Sequence, residues 1–129
     1  TQEVVDYSLQ AERLGAHFLM IRPPAGSGLK GESLKKFYTD VLDATGDTSV
    51  MLYAPSEDFS VELIKKLAEK YEKVKWVKEA TGIIDRVPAI QEACGDNITV
   101  VCGADGLAFE MAKKYGVDVW VAPPVNPLP

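Results

Sequence analysis

The chain has 129 residues, 47% of them hydrophobic and 26% charged, which suits one soluble domain with a core of its own. A formal net charge of -5 and a sequence pI near 4.9 leave no broad positive field, so neither nucleic acid nor a membrane surface is an expected partner. No run approaches the roughly 18 apolar residues of a membrane span, and the start lacks a basic region followed by an apolar core. The expected location is the cytoplasm, with Cys94 and Cys102 reduced, since the two are isolated and form no C-x-x-C pair. The chain begins at Thr1 without methionine and stops at Pro129 just after an apolar run, so both ends read as cut.

In chain order, Val4, Val5, Leu9, Ala11 and Leu14 recur at mixed three- and four-residue spacing, which predicts a helix from Gln2 to Leu14, stopped by Gly15. His17 to Ile21 is a continuous apolar run closed by Arg22, Pro23 and Pro24, the pattern of a strand buried on both faces. A glycine loop then leads to a second helix, Ser33 to Ala44. Val50 to Tyr53 reads as strand, and Ser60 caps a helix bearing Leu63, Ile64, Leu67 and Ala68. Val74 to Lys78 follows as strand, Asp85 as the cap of the next helix, and Ile98 to Cys102 as strand. A last helix after Ala104 ends at Gly116, before a fifth strand from Val117 to Ala122. Met20, Met51 and Met111 are expected in the core.

Strands separated by single helices are parallel, because each crossover returns the chain to the sheet in the same direction. Five parallel strands in one α/β domain over residues 1–129 are therefore expected. The helix-strand unit recurs at roughly 25 to 30 residues, a period shared by barrels and doubly wound sheets. Periodicity does not choose between them.

In either architecture ligands gather at the C-terminal ends of the strands. Residues there include Arg22, Tyr53, Lys78, Glu79, Thr81, Gly103, Asp105 and Asn126. Alternation puts Lys78 on the face of Trp76 and Val74, opposite Val77, and so inward. Desolvation between apolar neighbours disfavours an ammonium and frees the amine to attack a carbonyl, as imine formation with a 2-oxo acid requires. The competing reading of Lys78 is a strand-end lysine that reaches solvent or pairs with Glu79 or Asp105. Tyr53 ends the preceding strand, about 4.8 Å away if the two are adjacent, where its phenol would either move protons or simply cap the core.

Other patterns carry less. Gly26-Ser27-Gly28-Leu29-Lys30-Gly31 lacks the Walker spacing with its Lys-Ser/Thr end and reads as a solvated loop. His17, Cys94 and Cys102 fall in separate elements without ligand spacing, so no metal site is expected, and no motif asks for a cofactor.

Val77-Lys78-Glu79-Ala80-Thr81-Gly82 lies about 25 residues after Leu52-Tyr53-Ala54-Pro55 and precedes Cys102-Gly103-Ala104-Asp105. In that arrangement the chain resembles the dihydrodipicolinate synthase and N-acetylneuraminate lyase family. The likeness runs from the Gly15-Ala16 helix end and Pro24 to Asn126 and Pro129. It implies a Schiff-base lyase on a TIM barrel, with Lys78 as the imine-forming nucleophile and Tyr53 as the proton-relaying phenol. Thr81 and Gly103 are carried over as substrate-binding positions, with Gly103 leaving room for substrate, and Asn126 falls in the closing loop without a chemical role. The implied partner is a small 2-oxo acid such as pyruvate, whose protonated imine acts as an electron sink for carbon-carbon cleavage, addition or dehydration.

The family's barrel has eight strands, and the resemblance aligns this chain with the helix before the fourth strand through the eighth. Three strands are missing from the alignment, including the loop that binds the substrate carboxylate, so little turnover is expected from these residues alone. The implied alternative is a truncated or engineered barrel fragment that folds and associates without activity. Unpaired edges at His17 to Ile21 and Val117 to Ala122 predict a homo-oligomer. Ser56-Glu57-Asp58 stands where synthases acting on a second carboxylate often place an arginine, and Arg22-Pro23-Pro24 replaces a tyrosine-bearing loop. Both favour a sugar-acid aldolase or dehydratase as parent over the lysine-pathway synthase. A flavodoxin-like small-ligand domain using the glycine loops is the remaining reading.

Overall fold

Leu34, Phe37, Tyr38, Val41 and Leu42 line one side of the second helix, and burying side chains of this size stabilises by about 1.5–3 kcal/mol each. That apolar stripe, repeated helix after helix, packs against one face of a parallel sheet. A computed structural model describes residues 1–121. Its elements are α1 (Gln2–Arg13), β1 (Phe18–Ile21), α2 (Gly31–Ala44), β2 (Ser49–Ala54), α3 (Val61–Lys70), β3 (Val74–Glu79), α4 (Arg86–Cys94), β4 (Thr99–Cys102) and α5 (Ala108–Tyr115). Short 3-10 turns occupy Gly95–Asn97 and Asp105–Leu107. None of the described helices is long and apolar enough to cross a membrane.

The four strands are parallel and lie in the order β1-β2-β3-β4. A doubly wound sheet reverses its order at a switch point, whereas a barrel adds each strand beside the last. The sequential order decides for a segment of barrel, and it removes the basis of the flavodoxin-like reading. One continuous core joins the five helices to Leu19, Ile21, Val50, Leu52, Ala54, Val74, Val77, Val100 and Cys102, the side of the sheet that would face out from a barrel. Met51 and Val101 are buried on the other side, outside that cluster.

Several expectations need correction. The fifth strand is reduced, among the described residues, to a single parallel bridge between Cys102 and Trp120, with the Cys102 N–H donating to the Val119 carbonyl at 2.9 Å and the Val121 N–H to that of Cys102 at 3.1 Å. Ala122, Asn126 and Pro129 lie outside the described residues. The first strand is buried on one face only: Phe18 is 50% exposed and Met20 48%, so Met20 leaves the predicted core while Met51 and Met111 remain in it. On the inner side of β1 the Phe18 ring meets Trp76, with centroids 5.8 Å apart, and that partial cover leaves Phe18 and Met20 half-exposed.

Val74 does not share the face of Trp76. Val50 pairs with Val74 but Met51 pairs with Trp76, so Lys75 is an extra residue in β3, a bulge that returns Val74 to the helix side. Ser60 caps α3 as predicted, its hydroxyl accepting the Leu63 N–H at 3.2 Å. Asp85 precedes α4 in helical conformation and makes no side-chain cap; its carboxylate accepts the Tyr115 hydroxyl at 3.3 Å instead.

The N-terminal ends of the strands are tied down by Lys73. Its ammonium donates to the carbonyls of Leu42, Thr45 and Gly46 at 2.6–2.8 Å and to the Thr45 hydroxyl at 3.1 Å, adding to the Thr45 hydroxyl's bond to the Val41 carbonyl at 3.0 Å in closing the C-terminus of α2.

Candidate active site

Past the bulge, alternation in β3 sets Trp76 and Lys78 on the inner face and Val77 and Glu79 on the helix face. Lys78 pairs in register with Tyr53 of β2 on one side and Val101 of β4 on the other. It is 7% exposed, and its Nζ lies 5.0 Å from the centroid of the Tyr53 ring. This is a cation over a π-face, the geometry by which an aromatic quadrupole attracts an ammonium. Arg22, at the end of β1, brings its guanidinium carbon to 5.4 Å from the same ring. One tyrosine is thus flanked by two cations at the C-terminal mouth of the sheet.

Gly103 forms the third wall. A Cβ built there would stand 2.7 Å from Lys78 Cε, 2.8 Å from Lys78 Cγ and 2.8 Å from the Ala80 methyl. Gly103 has an ordinary backbone conformation. The absent side chain therefore makes space for the lysine stem itself. Its N–H donates to the Glu79 carbonyl at 2.8 Å, and the Ala80 N–H donates to the Ala54 carbonyl at 3.0 Å, so the ladder continues beyond the named strands.

The structure brings Lys78, Tyr53 and Gly103 together and points Thr81 elsewhere. The Thr81 hydroxyl donates to Glu79 Oε1 and accepts the Ile83 N–H at 3.1 Å. Neither acid proposed as a partner for Lys78 reaches it: Glu79 turns to the helix face, and Asp105 accepts the Trp120 indole N–H at 3.0 Å. Lys78 makes no salt bridge among the described residues.

Sequence reasoning missed what lies behind this pair. Glu79 is fully buried; it accepts the Thr81 N–H at 2.8 Å and faces Arg86 Nε at 3.1 Å. Arg86 Nη2 also donates to the Phe59 carbonyl at 2.7 Å. The Phe59 ring stacks on Tyr38, with centroids 4.6 Å apart, and the Tyr38 hydroxyl donates to the Tyr53 carbonyl at 2.9 Å. Burial pushes the Tyr38 phenol far above its usual range, against the smaller opposing effects of that hydrogen bond and of the Arg22 charge. The one signal available was Tyr38 on the apolar stripe of α2, since a buried tyrosine hydroxyl seeks an acceptor.

Beside this mouth, the loops after β1 and β2 enclose a cavity of about 220 Å³ that includes Arg22, Ser27, Ser56 and Asp58 in its lining. Gly26 and Gly28 take left-handed conformations, with φ of +72° and +62°, in turning the first of these loops. Among the described residues no cluster of three or more His, Cys, Asp or Glu side chains could hold a metal, and both cysteines are buried and free.

The model of the Dihydrodipicolinate synthetase family matches residues 1–127. The chain belongs to that family. Among its relatives, the 4-hydroxy-tetrahydrodipicolinate synthase of Geobacter metallireducens is 29% identical over 114 residues, which are 86% of this chain and 39% of that protein. The synthase of Thermodesulfovibrio yellowstonii is 31% identical over 108 residues, 81% of this chain and 37% of that protein. The solved dihydrodipicolinate synthase of Aquifex aeolicus superposes with a TM-score of 0.86 at 25% identity, covering 97% of this chain and 43% of that one. The 4-hydroxy-tetrahydrodipicolinate synthase of Methylacidiphilum fumariolicum, at 24% identity and a TM-score of 0.88, agrees in fold over 97% of this chain and 42% of that one. The chain spans about two fifths of the length of these dihydrodipicolinate synthetase family relatives.

Proposed function

We propose that this segment carries the imine-forming half of a 2-oxo-acid lyase site. Lys78 condenses with the 2-oxo group of pyruvate or a related acid, and Tyr53 moves protons to and from the carbinolamine oxygen. The observation that carries this reading is the juxtaposition of a largely buried lysine and a tyrosine, Nζ 5.0 Å from the ring, on paired strand ends in a chain of this family. Tyr53, on the paired strand end, offers a phenol as proton donor beside the amine. Gly103 supports the reading by leaving the lysine stem a fixed channel. Thr81 acts here by shaping the loop after β3.

The test is reduction with borohydride in the presence of pyruvate, followed by peptide mass spectrometry. An adduct at Lys78 that disappears in Lys78→Ala supports imine chemistry; a folded chain with no adduct removes it.

A second reading, a fragment that folds and associates without turnover, is favoured by the half-exposed Phe18 and Met20 on the inner face of the sheet. Apolar surface beside an open strand edge drives association, so copies of the chain are proposed to pair through this side. Association and imine formation are compatible, and the borohydride experiment separates the inert case from the active one.

A further inference from the structure

We propose that Glu79, Arg86, Phe59 and Tyr38 are positioning residues, a buried line of contacts on the helix side of the sheet that fixes the approach of Lys78 to Tyr53 on the other side. Its chemical use rests on the Schiff-base reading above; the positioning itself does not.

The line begins one residue from the lysine and ends on the tyrosine. Glu79 follows Lys78 in β3, so alternation holds its carboxylate on the opposite face, where Thr81 and Arg86 clamp it. Arg86 spans from Glu79 Oε2 to the Phe59 carbonyl, joining the end of β3 to the loop that follows β2. Phe59 lies flat on Tyr38, at an interplanar angle of 21°, and the Tyr38 hydroxyl ends on the Tyr53 carbonyl, with a longer contact of 3.4 Å to that of Ile21. Phe59, Tyr38 and Glu79 are each at most 1% exposed.

Stability does not account for this arrangement. Withdrawing a carboxylate and a guanidinium from water costs several kcal/mol per ion, and apolar side chains of similar volume commonly serve a core equally well. What the ions and the phenol add is direction, since each hydrogen bond restricts where a strand end can sit. A displacement of about 1 Å at a reacting group costs about 10²-fold in rate. Lys78 and Tyr53 stand one residue before the last registered pair of their strands, Ala54 with Glu79, and the line adds side-chain direction to the ladder there.

The experiment compares the full chain with Tyr38→Phe, Glu79→Gln and a control, Met111→Ala, which opens the core on α5, a helix that contributes no residue to the line. The first readout, independent of any substrate, is the nuclear Overhauser contact between the Lys78 ε-methylene and the Tyr53 ring protons. It is expected in the unsubstituted chain, lost or cut at least threefold in Tyr38→Phe and Glu79→Gln, and kept in Met111→Ala even where melting is earlier. The second readout is borohydride trapping with pyruvate: a fall of about tenfold in maximal rate, with the half-saturating pyruvate concentration changed less than twofold, is the signature of misplacement. A contact that persists in both variants, or is absent from the unsubstituted chain, overturns the positioning role. If the unsubstituted chain traps no pyruvate, the Schiff-base reading falls while the Overhauser comparison still decides the inference. Should Glu79→Gln not fold, Tyr38→Phe, which removes one oxygen, decides alone.

Discussion

Gly103 lies against the stem of Lys78 so closely that a single added carbon would stand 2.7 Å from Lys78 Cε. Because the Lys78 Cγ and the Ala80 methyl, both close to the backbone, would stand at 2.8 Å, Gly103→Ala should displace the ends of β3 and β4 as well as the lysine. The expected cost in stability is about 1–2 kcal/mol, as for other overpacked sites. The expected effect on pyruvate trapping at Lys78 is larger, about tenfold or more, since the amine leaves the Tyr53 ring. Urea denaturation and borohydride trapping on the same preparation check both; an unchanged trapping rate would show that the lysine stem is not confined.

Tyr53→Phe keeps the ring under the ammonium and removes only the hydroxyl. Trapping should slow by about 10²-fold if the phenol moves protons, the range for loss of a positioned acid or base. Unfolding free energy should change little, because the Tyr53 side-chain hydroxyl holds no hydrogen bond among the described residues. Equal rates in the two proteins would reduce Tyr53 to a surface for the cation.

Tyr38 makes a prediction about alkaline pH. Its phenol is held protonated in the fold by burial, whereas in the unfolded chain it ionises near pH 10. The folded state therefore retains a proton that the unfolded state releases. Its contribution is intact below about pH 10 and is lost above it, at up to about 1.4 kcal/mol per pH unit. The slope of stability against pH above 10 should be shallower in Tyr38→Phe, measured by urea titration at closely spaced pH values. Parallel slopes would mean that the phenol is not shielded from water.

Lys73 closes α2 from outside the helix, with an ammonium on three carbonyls and a hydroxyl. Replacing it in Lys73→Met keeps the stem and removes every one of those donors. A loss of about 2 kcal/mol is expected, the scale for hydrogen bonds to a charged group. A change below about 0.5 kcal/mol in chemical denaturation would show that water satisfies the helix end equally well.

The half-exposed Phe18 and Met20 test association. Sedimentation equilibrium should give a dimer or larger species for the chain and a shift toward monomer for Phe18→Glu with Met20→Glu. Two charges on that face oppose burial against a second copy. A chain that sediments as a monomer across micromolar concentrations refutes association through this side.

Much of this was legible in the residues. Helix stripes, glycine stops and apolar runs located every described α-helix and strand within a few positions, because 3.6- and 2-residue periodicities survive in helices and strands with one dry face. The approach of Tyr53 to Lys78 followed from strand ends and from the family motif, whereas Gly103, expected to leave room for substrate, lies against the lysine stem. Val74 was misplaced because one extra residue, Lys75, reverses alternation, and a bulge leaves no mark in an apolar pattern. Phe18 and Met20 looked buried because hydrophobicity reports what a residue tolerates, not whether another element covers it. The Glu79-Arg86 pair escaped notice since long side chains seven residues apart meet only through a loop whose path the sequence does not specify.

The sequential strand order has a kinetic consequence. The densest contacts join β1 with β2, β2 with β3, β3 with β4, and α3 with α4, so ordering each unit asks the chain to close one helix-bearing crossover onto a neighbour already in place. The closure cost is thereby bounded at one helix-strand unit, although parallel pairing stays slower than local helix formation. Such a chain can add one helix and one strand at a time from either end, in the manner of a zipper rather than a lock.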